Sequence, residues 1–175
     1  MNKLLMSAGL AVLSVVLTTS FATQQQQKPE THTSQHQMDE MNQRADSAMG
    51  FDQTKTTHHF ILTEEGGAIR VEANEEKDTQ SRDQIRMHLR HIAMMFTEGN
   101  FKIPMLVHAE TPAGAETMRR LKSEINYQYE ETKQGAAVGI ATSNAEALEA
   151  IHAFLRYQIT EHKTGDPLVV TKQVN

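Results

Sequence analysis

Two strand patterns followed by a long helical pattern occur twice along this chain. This repetition constrains the fold more than any other feature of the sequence. Two pairs of segments have the pattern of strands joined by short glycine-containing turns, and each pair predicts a β-hairpin: residues 58–62 with 68–73, and residues 125–131 with 137–142. A long amphipathic helical pattern follows each hairpin, starting at Ser81 in the first half and at Ser143 in the second. The chain therefore predicts the order strand, strand, helix twice.

The two helical patterns also align with each other. Identical residues stand at equal spacing in both: Ile85, Leu89 and Arg90 in the first, and Ile151, Leu155 and Arg156 in the second. One such unit cannot bury its own apolar face, so two units are expected to share a core. We predict an α+β fold, in which a duplicated strand-strand-helix unit forms a four-stranded antiparallel sheet with two long helices on one face. Leu89 and Leu155 then occupy equivalent buried positions.

The segment that joins the two units carries shorter patterns. Residues 104–108, with the sequence PMLVH, predict a short strand. Thr111 with Pro112 predicts the start of a short helix that continues to about Leu121.

The flanking segments differ from this domain in composition. Residues 23–50 are rich in Gln, Thr, Ser and Glu and predict a disordered polar tether, because they offer little apolar surface to bury. The folded, duplicated α+β domain is expected over residues 51–167, and residues 168–175 form a short C-terminal tail.

The first residues have the composition of a secretory signal peptide. Lys3 supplies a positive charge, Leu4–Leu17 is an uncharged apolar run, and Ser20 and Ala22 stand at the small-residue positions of a cleavage site. The apolar run is shorter than the ~20 residues that a membrane-spanning helix needs. Residues 1–22 are therefore predicted to be cleaved, leaving an exported protein, periplasmic or extracellular, that does not span a membrane.

Fractionation of expressing cells tests this prediction. We expect a mature form outside the cytoplasm that begins near Thr23 and is lighter than the primary translation product, because the leader has been removed. N-terminal sequencing and the intact mass would identify it. A full-length product retained in the cytoplasm would contradict the signal peptide.

Two segments, MHLRHIAMMFTEGNF and FLRYQITEHKTGDP, resemble those of a family of small exported bacterial proteins of uncharacterised function. The resemblance covers residues from about 50 to 167. It implies export but no catalytic or binding residue, because no activity is established for the family. Candidate functional residues therefore come from the sequence itself.

Composition and motifs disfavour several functional classes. The net charge of −5 at pH 7 is unsuited to binding nucleic acid, which is itself strongly negative. The chain has no cysteine, so it has neither a disulfide nor a cysteine nucleophile. It also lacks the G-x-S-x-G and H-E-x-x-H motifs and a glycine-rich phosphate loop. A non-catalytic function is therefore favoured over an enzymatic one.

Histidines are concentrated in the first half of the domain. His88 and His91 are three residues apart on the first long helix, so their imidazoles project from adjacent turns, with His59 or His108 as further ligands. Imidazole binds copper and zinc, and nearby methionine thioethers favour Cu(I). The sequence predicts a copper or zinc site formed by His59, His88, His91 and His108, which serves metal handling. Its affinity should fall as the pH drops through ~6.5, where free imidazole takes up a proton.

Other interpretations of these residues compete with a metal site. A histidine beside an apolar stripe is more often a structural residue, and Met87, Met94 and Met95 at helical spacing are commonly core residues. The wide apolar face of this helix also suits an envelope protein-binding or stress-related interaction module without metal, so the partner is a metal ion or a protein. His152 and His162 are assigned structural roles, because His162 in a last helical turn suits the helix dipole.

Overall fold

The computed structural model describes residues 30–170. The predicted signal peptide, residues 1–22, lies outside the described residues, as do the outer parts of the two predicted tails, residues 23–29 and 171–175. Within the described residues, no helix is both long enough and apolar enough to cross a membrane.

The described part of the chain forms helices and one sheet. The α-helices are α1 (Glu30–Met49), α2 (Thr79–Thr97), α3 (Lys102–His108), α4 (Ala115–Arg120) and α5 (Ala145–His162). The strands are β1 (Thr56–Thr63), β2 (Gly66–Ala73), β3 (Ile125–Glu131) and β4 (Gly135–Thr142), and short 3-10 turns precede β1 and β3. The predicted α+β class and four-stranded antiparallel sheet are confirmed, with the strand order β1-β2-β4-β3.

Helices α2 and α5 pack on one face of this sheet and enclose the main core. Leu89 of α2 and Leu155 of α5 are both buried, at 2% and 0% exposed. The N-caps are Asp78 and Asn144 rather than the serines expected, because each of these side chains accepts hydrogen bonds from the first helical turn. The order strand, strand, helix thus occurs in both halves, while a duplication of one unit stays a prediction.

The segment between the halves differs from its prediction. Residues 104–108 belong to helix α3 rather than to a strand. Pro104 is tolerated there because it lies in the first turn, where the backbone N–H has no partner within the helix. Val107 is buried and Ile103, four residues before it, packs beside it, so both lie on one helical face. The short helix that follows begins only at Ala115.

Residues 30–49, which we expected to be disordered, form helix α1. Met41 and Ala45 are one helical turn apart and pack against Val107 of α3 in a small second core. The Arg44 Nε atom donates a hydrogen bond to the Val107 carbonyl oxygen at 2.9 Å. The correction has a simple cause: the few apolar residues of this polar segment recur at helical spacing and find a partner in α3.

Candidate functional site

The structure separates the four predicted metal ligands. His88 and His108 line a cavity in the core, whereas His91 is exposed on α2. His59 lies on the edge strand β1, where its Nδ1 atom is 2.9 Å from Asp166 Oδ1. The described residues contain no group of three or more histidine or carboxylate side chains already arranged to hold a metal ion. His59, His88, His91 and His108 therefore do not share one centre in this structure.

The register of β1 decides which histidine of the first hairpin reaches the core. Successive residues of a strand face opposite sides of the sheet. Phe60 and Leu62 are buried under the helices, so His58 faces the same side and His59 faces the opposite one. Of the two adjacent histidines, His58 therefore faces the core and His59 does not.

A cavity of about 60 Å³ lies between the sheet and helices α2, α3 and α5. Four imidazoles line it, one from each surrounding element: His58 of β1, His88 of α2, His108 of α3 and His162 of α5. Apart from Gln158, the other lining residues are apolar, and Met49 at the end of α1 contributes a thioether. The volume is enough for a few water molecules or one small ligand.

His162 is the central ring of this cluster. Its ring lies parallel to that of His58, with the centroids 5.8 Å apart, and edge-on to that of His108, with the centroids 5.0 Å apart. His88 packs edge-on against Phe51 at 5.5 Å. The ring of His162 therefore lies between those of His58 and His108 and contacts both.

Several polar atoms of the cavity lining have no hydrogen-bond partner although they are buried: His58 Nε2, His108 Nδ1 and Gln158 Nε2. The His108 Nε2 atom lies 3.0 Å from Gln158 Oε1. Because an amide oxygen can only accept, Nε2 of His108 donates this hydrogen bond and its Nδ1 carries a lone pair. Buried polar atoms are almost always satisfied, so this cavity is suited to a polar guest or an ion.

Burial keeps these imidazoles neutral at pH 7. It lowers the pKa of His58 to about 4 and that of His88 to about 4, and neighbouring histidines add to both effects. Burial lowers the pKa of His162 to about 3, with help from His58 and His108. The pKa of His108 is also lowered by burial, against the opposing effect of its hydrogen bond to Gln158. Neutral imidazole is the form that ligates metals, since its unprotonated nitrogen keeps a lone pair.

The sequence prediction left His58 and His162 out of the ligand set, although a signal for each was present. The alternation that places Phe60 inside a strand also places His58 there. In α5, Phe154, Gln158 and His162 recur every fourth residue, so the buried stripe of the helix extends to its last turn. His162, which the sequence prediction assigned to a structural role at the helix end, thus lines the cavity.

No protein-family model matches the chain, and neither a curated protein nor a solved structure matches it. The function has to be inferred from the chemistry of the cavity itself.

Proposed function

We propose that this protein is an exported, non-catalytic metal-handling protein that binds one copper or zinc ion in the cavity, through His58, His108 and His162. The observation that carries the proposal is the convergence of three neutral imidazoles on an apolar cavity in which buried nitrogens have no partner. Of the four ligands predicted from the sequence, this set retains His108 and leaves out His59 and His91. His88 lines the same cavity and is the candidate for a fourth ligand.

The spacing of the rings supports a shared ion. Two imidazoles that each hold a metal at ~2.0–2.1 Å in tetrahedral geometry have ring centroids about 5–6 Å apart. The centroids of His162 and His108 are 5.0 Å apart, and those of His162 and His58 are 5.8 Å apart. The rings of His58 and His162 are nearly parallel, at 9°, so their nitrogens can meet one ion only after a ring turns within the cavity.

The lining favours binding over catalysis. A metal-bound water that acts as a nucleophile needs an open coordination position and a nearby base. No carboxylate is among the described residues that line the cavity. The Met49 thioether is the one soft ligand beside the imidazoles, and it favours copper, in particular Cu(I), over zinc.

Calorimetric titration of the purified exported chain with Zn(II) and with Cu(II) tests the site. We expect one ion to bind, and the variants His58→Leu and His162→Leu to bind it far more weakly. Removal of an outer-sphere partner already costs about 10–100-fold in metal affinity, so removal of a ligand should cost about 100-fold or more. His91→Asn is the matched control, because this exposed histidine lies outside the cavity and should leave the Zn(II) affinity unchanged.

The pH dependence of the same titration is a second measurement. Because burial lowers the pKa values of His58 and His162 to about 4 and about 3, proton competition in the folded protein should begin well below the ~6.5 of free imidazole. Circular dichroism of each variant would show whether it is folded. Equal, weak binding by the wild type and by folded variants would reject the metal site and favour the protein-binding module.

A further inference from the structure

The outer face of α2 carries a second set of metal-type ligands, separate from the cavity. Met87 is 70% exposed and Met94 is 61% exposed, and His91 between them is also exposed. The spacing i, i+4, i+7 places the three residues within about 60° of one another around the helix. They therefore form one line on the surface of the described part of the chain.

The packing of α2 gives these methionines no role in the core. The buried residues of the helix are others: Ser81, Ile85, His88, Leu89, Ile92, Ala93 and Phe96. Met95, the neighbour of Met94, is half-buried and packs against this core, as a methionine at helical spacing commonly does. Met87 and Met94 instead lie largely in solvent, where their side chains are accessible to a ligand.

We propose that Met87, His91 and Met94 form a surface site for Cu(I), distinct from the proposed cavity site. Cu(I) is a soft ion that prefers thioether and imidazole ligands, whereas Zn(II) binds thioethers poorly. Met87 and Met94 are separated by about 10.5 Å along the helix axis, with the imidazole between them. Methionine has three rotatable side-chain bonds, so both sulfurs can swing toward the histidine and meet it at one ion.

The charges around this face are compatible with a cation. Arg90 precedes His91 in α2 and lies on the adjoining face of the helix. Its guanidinium is directed toward the sheet, where Nη2 lies 3.1 Å from Glu131 Oε1 and the group stands 4.9 Å from the centroid of the Tyr129 ring. An ion at the methionine line therefore does not face an unpaired positive charge from this residue.

Silver(I) is the appropriate probe, because it has the ligand preferences of Cu(I) and does not change its oxidation state during the titration. The exported chain, labelled at its methionine methyl groups with carbon-13, is titrated with Ag(I) and observed by NMR. We expect the Met87 and Met94 methyl resonances and the His91 ring resonances to shift together and to saturate at one equivalent for this site. The resonance of Met105, exposed on α3, is the internal control and should stay in place.

Variants decide between this site and the cavity. The double variant Met87→Leu, Met94→Leu should lose the surface binding and, when it is compared with its parent in a His58→Leu, His162→Leu background that removes the cavity site, lower the Cu(I) affinity measured against a chromogenic chelator by about tenfold or more. It should leave Zn(II) binding in the cavity unchanged, whereas His58→Leu should leave the Ag(I) shifts of Met87 and Met94 unchanged. The surface site is overturned if Ag(I) moves neither methionine, or if the double variant holds Cu(I) and Ag(I) as its parent does in the background that lacks the cavity site. A failure of Zn(II) binding alone would reject only the cavity proposal.

Discussion

Lowering the pH from about 7 to about 4 is expected to destabilise the folded protein strongly, by about 2–3 kcal/mol for each of His58, His88 and His162. These side chains line one cavity and are neutral in the folded state, because burial lowers their pKa values to about 4, about 4 and about 3. A typical domain is stable by only ~5–15 kcal/mol, so acid alone should unfold much of the population.

The direction follows from the proton balance of the two states. Above about pH 6.5 the histidines are neutral both in the folded protein and in the unfolded chain, so they do not oppose folding. Between about pH 6.5 and pH 4 the unfolded chain binds protons that the folded protein does not, and the free energy of unfolding falls by about 1.4 kcal/mol per pH unit for each histidine. The protein therefore keeps its full free energy of unfolding above the pKa that these histidines have in the unfolded chain. It loses stability as the pH falls toward their lower pKa in the folded protein.

Urea unfolding at a series of pH values measures this slope. The variant His58→Leu, His162→Leu should show a much flatter dependence of the free energy of unfolding on pH between about pH 6.5 and 4.5. Its unfolded chain has fewer histidines that bind protons which the folded protein excludes. His91→Asn, which changes an exposed histidine, should keep the wild-type slope. A wild-type free energy of unfolding that stays constant over this range would contradict the burial of neutral histidines.

Leu155→Ala is expected to cost ~2–5 kcal/mol of the free energy of unfolding, because it removes a fully buried side chain from the core. Leu155 is 0% exposed, and its Cδ1 atom would be only 2.3 Å from a Cβ added at Gly67 of β2. The leucine thus packs directly on the strand backbone at a glycine. Backbone cannot move easily into the space that the leucine leaves, so the upper part of this range is expected.

Denaturant unfolding of matched variants tests this prediction. Leu89→Ala should have a comparable cost, since Leu89 is 2% exposed on the partner helix α2. Leu106→Ala is the control: this leucine is 57% exposed on α3, and its removal should change stability by no more than about 0.5 kcal/mol. A similar small change for Leu155→Ala would mean that α5 does not pack on the sheet as described.

The sequence alone predicted the hairpins and the two long helices that cover the sheet. These elements depend on local periodicity, which repeats every two residues in a strand and about every 3.6 in a helix, and on glycine-containing turns that are read directly from the residues. The apolar stripe of each helix also identified Leu89 and Leu155 as core positions, which the structure confirms. Local patterns were weaker where apolar residues were few, as in α1, or where the segment was short, as in α3.

The tertiary structure alone decided which histidines meet. The sequence predicted a group on one helix, His88 with His91, but one turn of that helix separates a buried position from an exposed one. The ring of His162 meets those of His58 and His108 because β1, α3 and α5 border the same cavity. Contacts between residues so far apart in the chain depend on how the elements pack, and periodicity within an element carries no information about the packing partner.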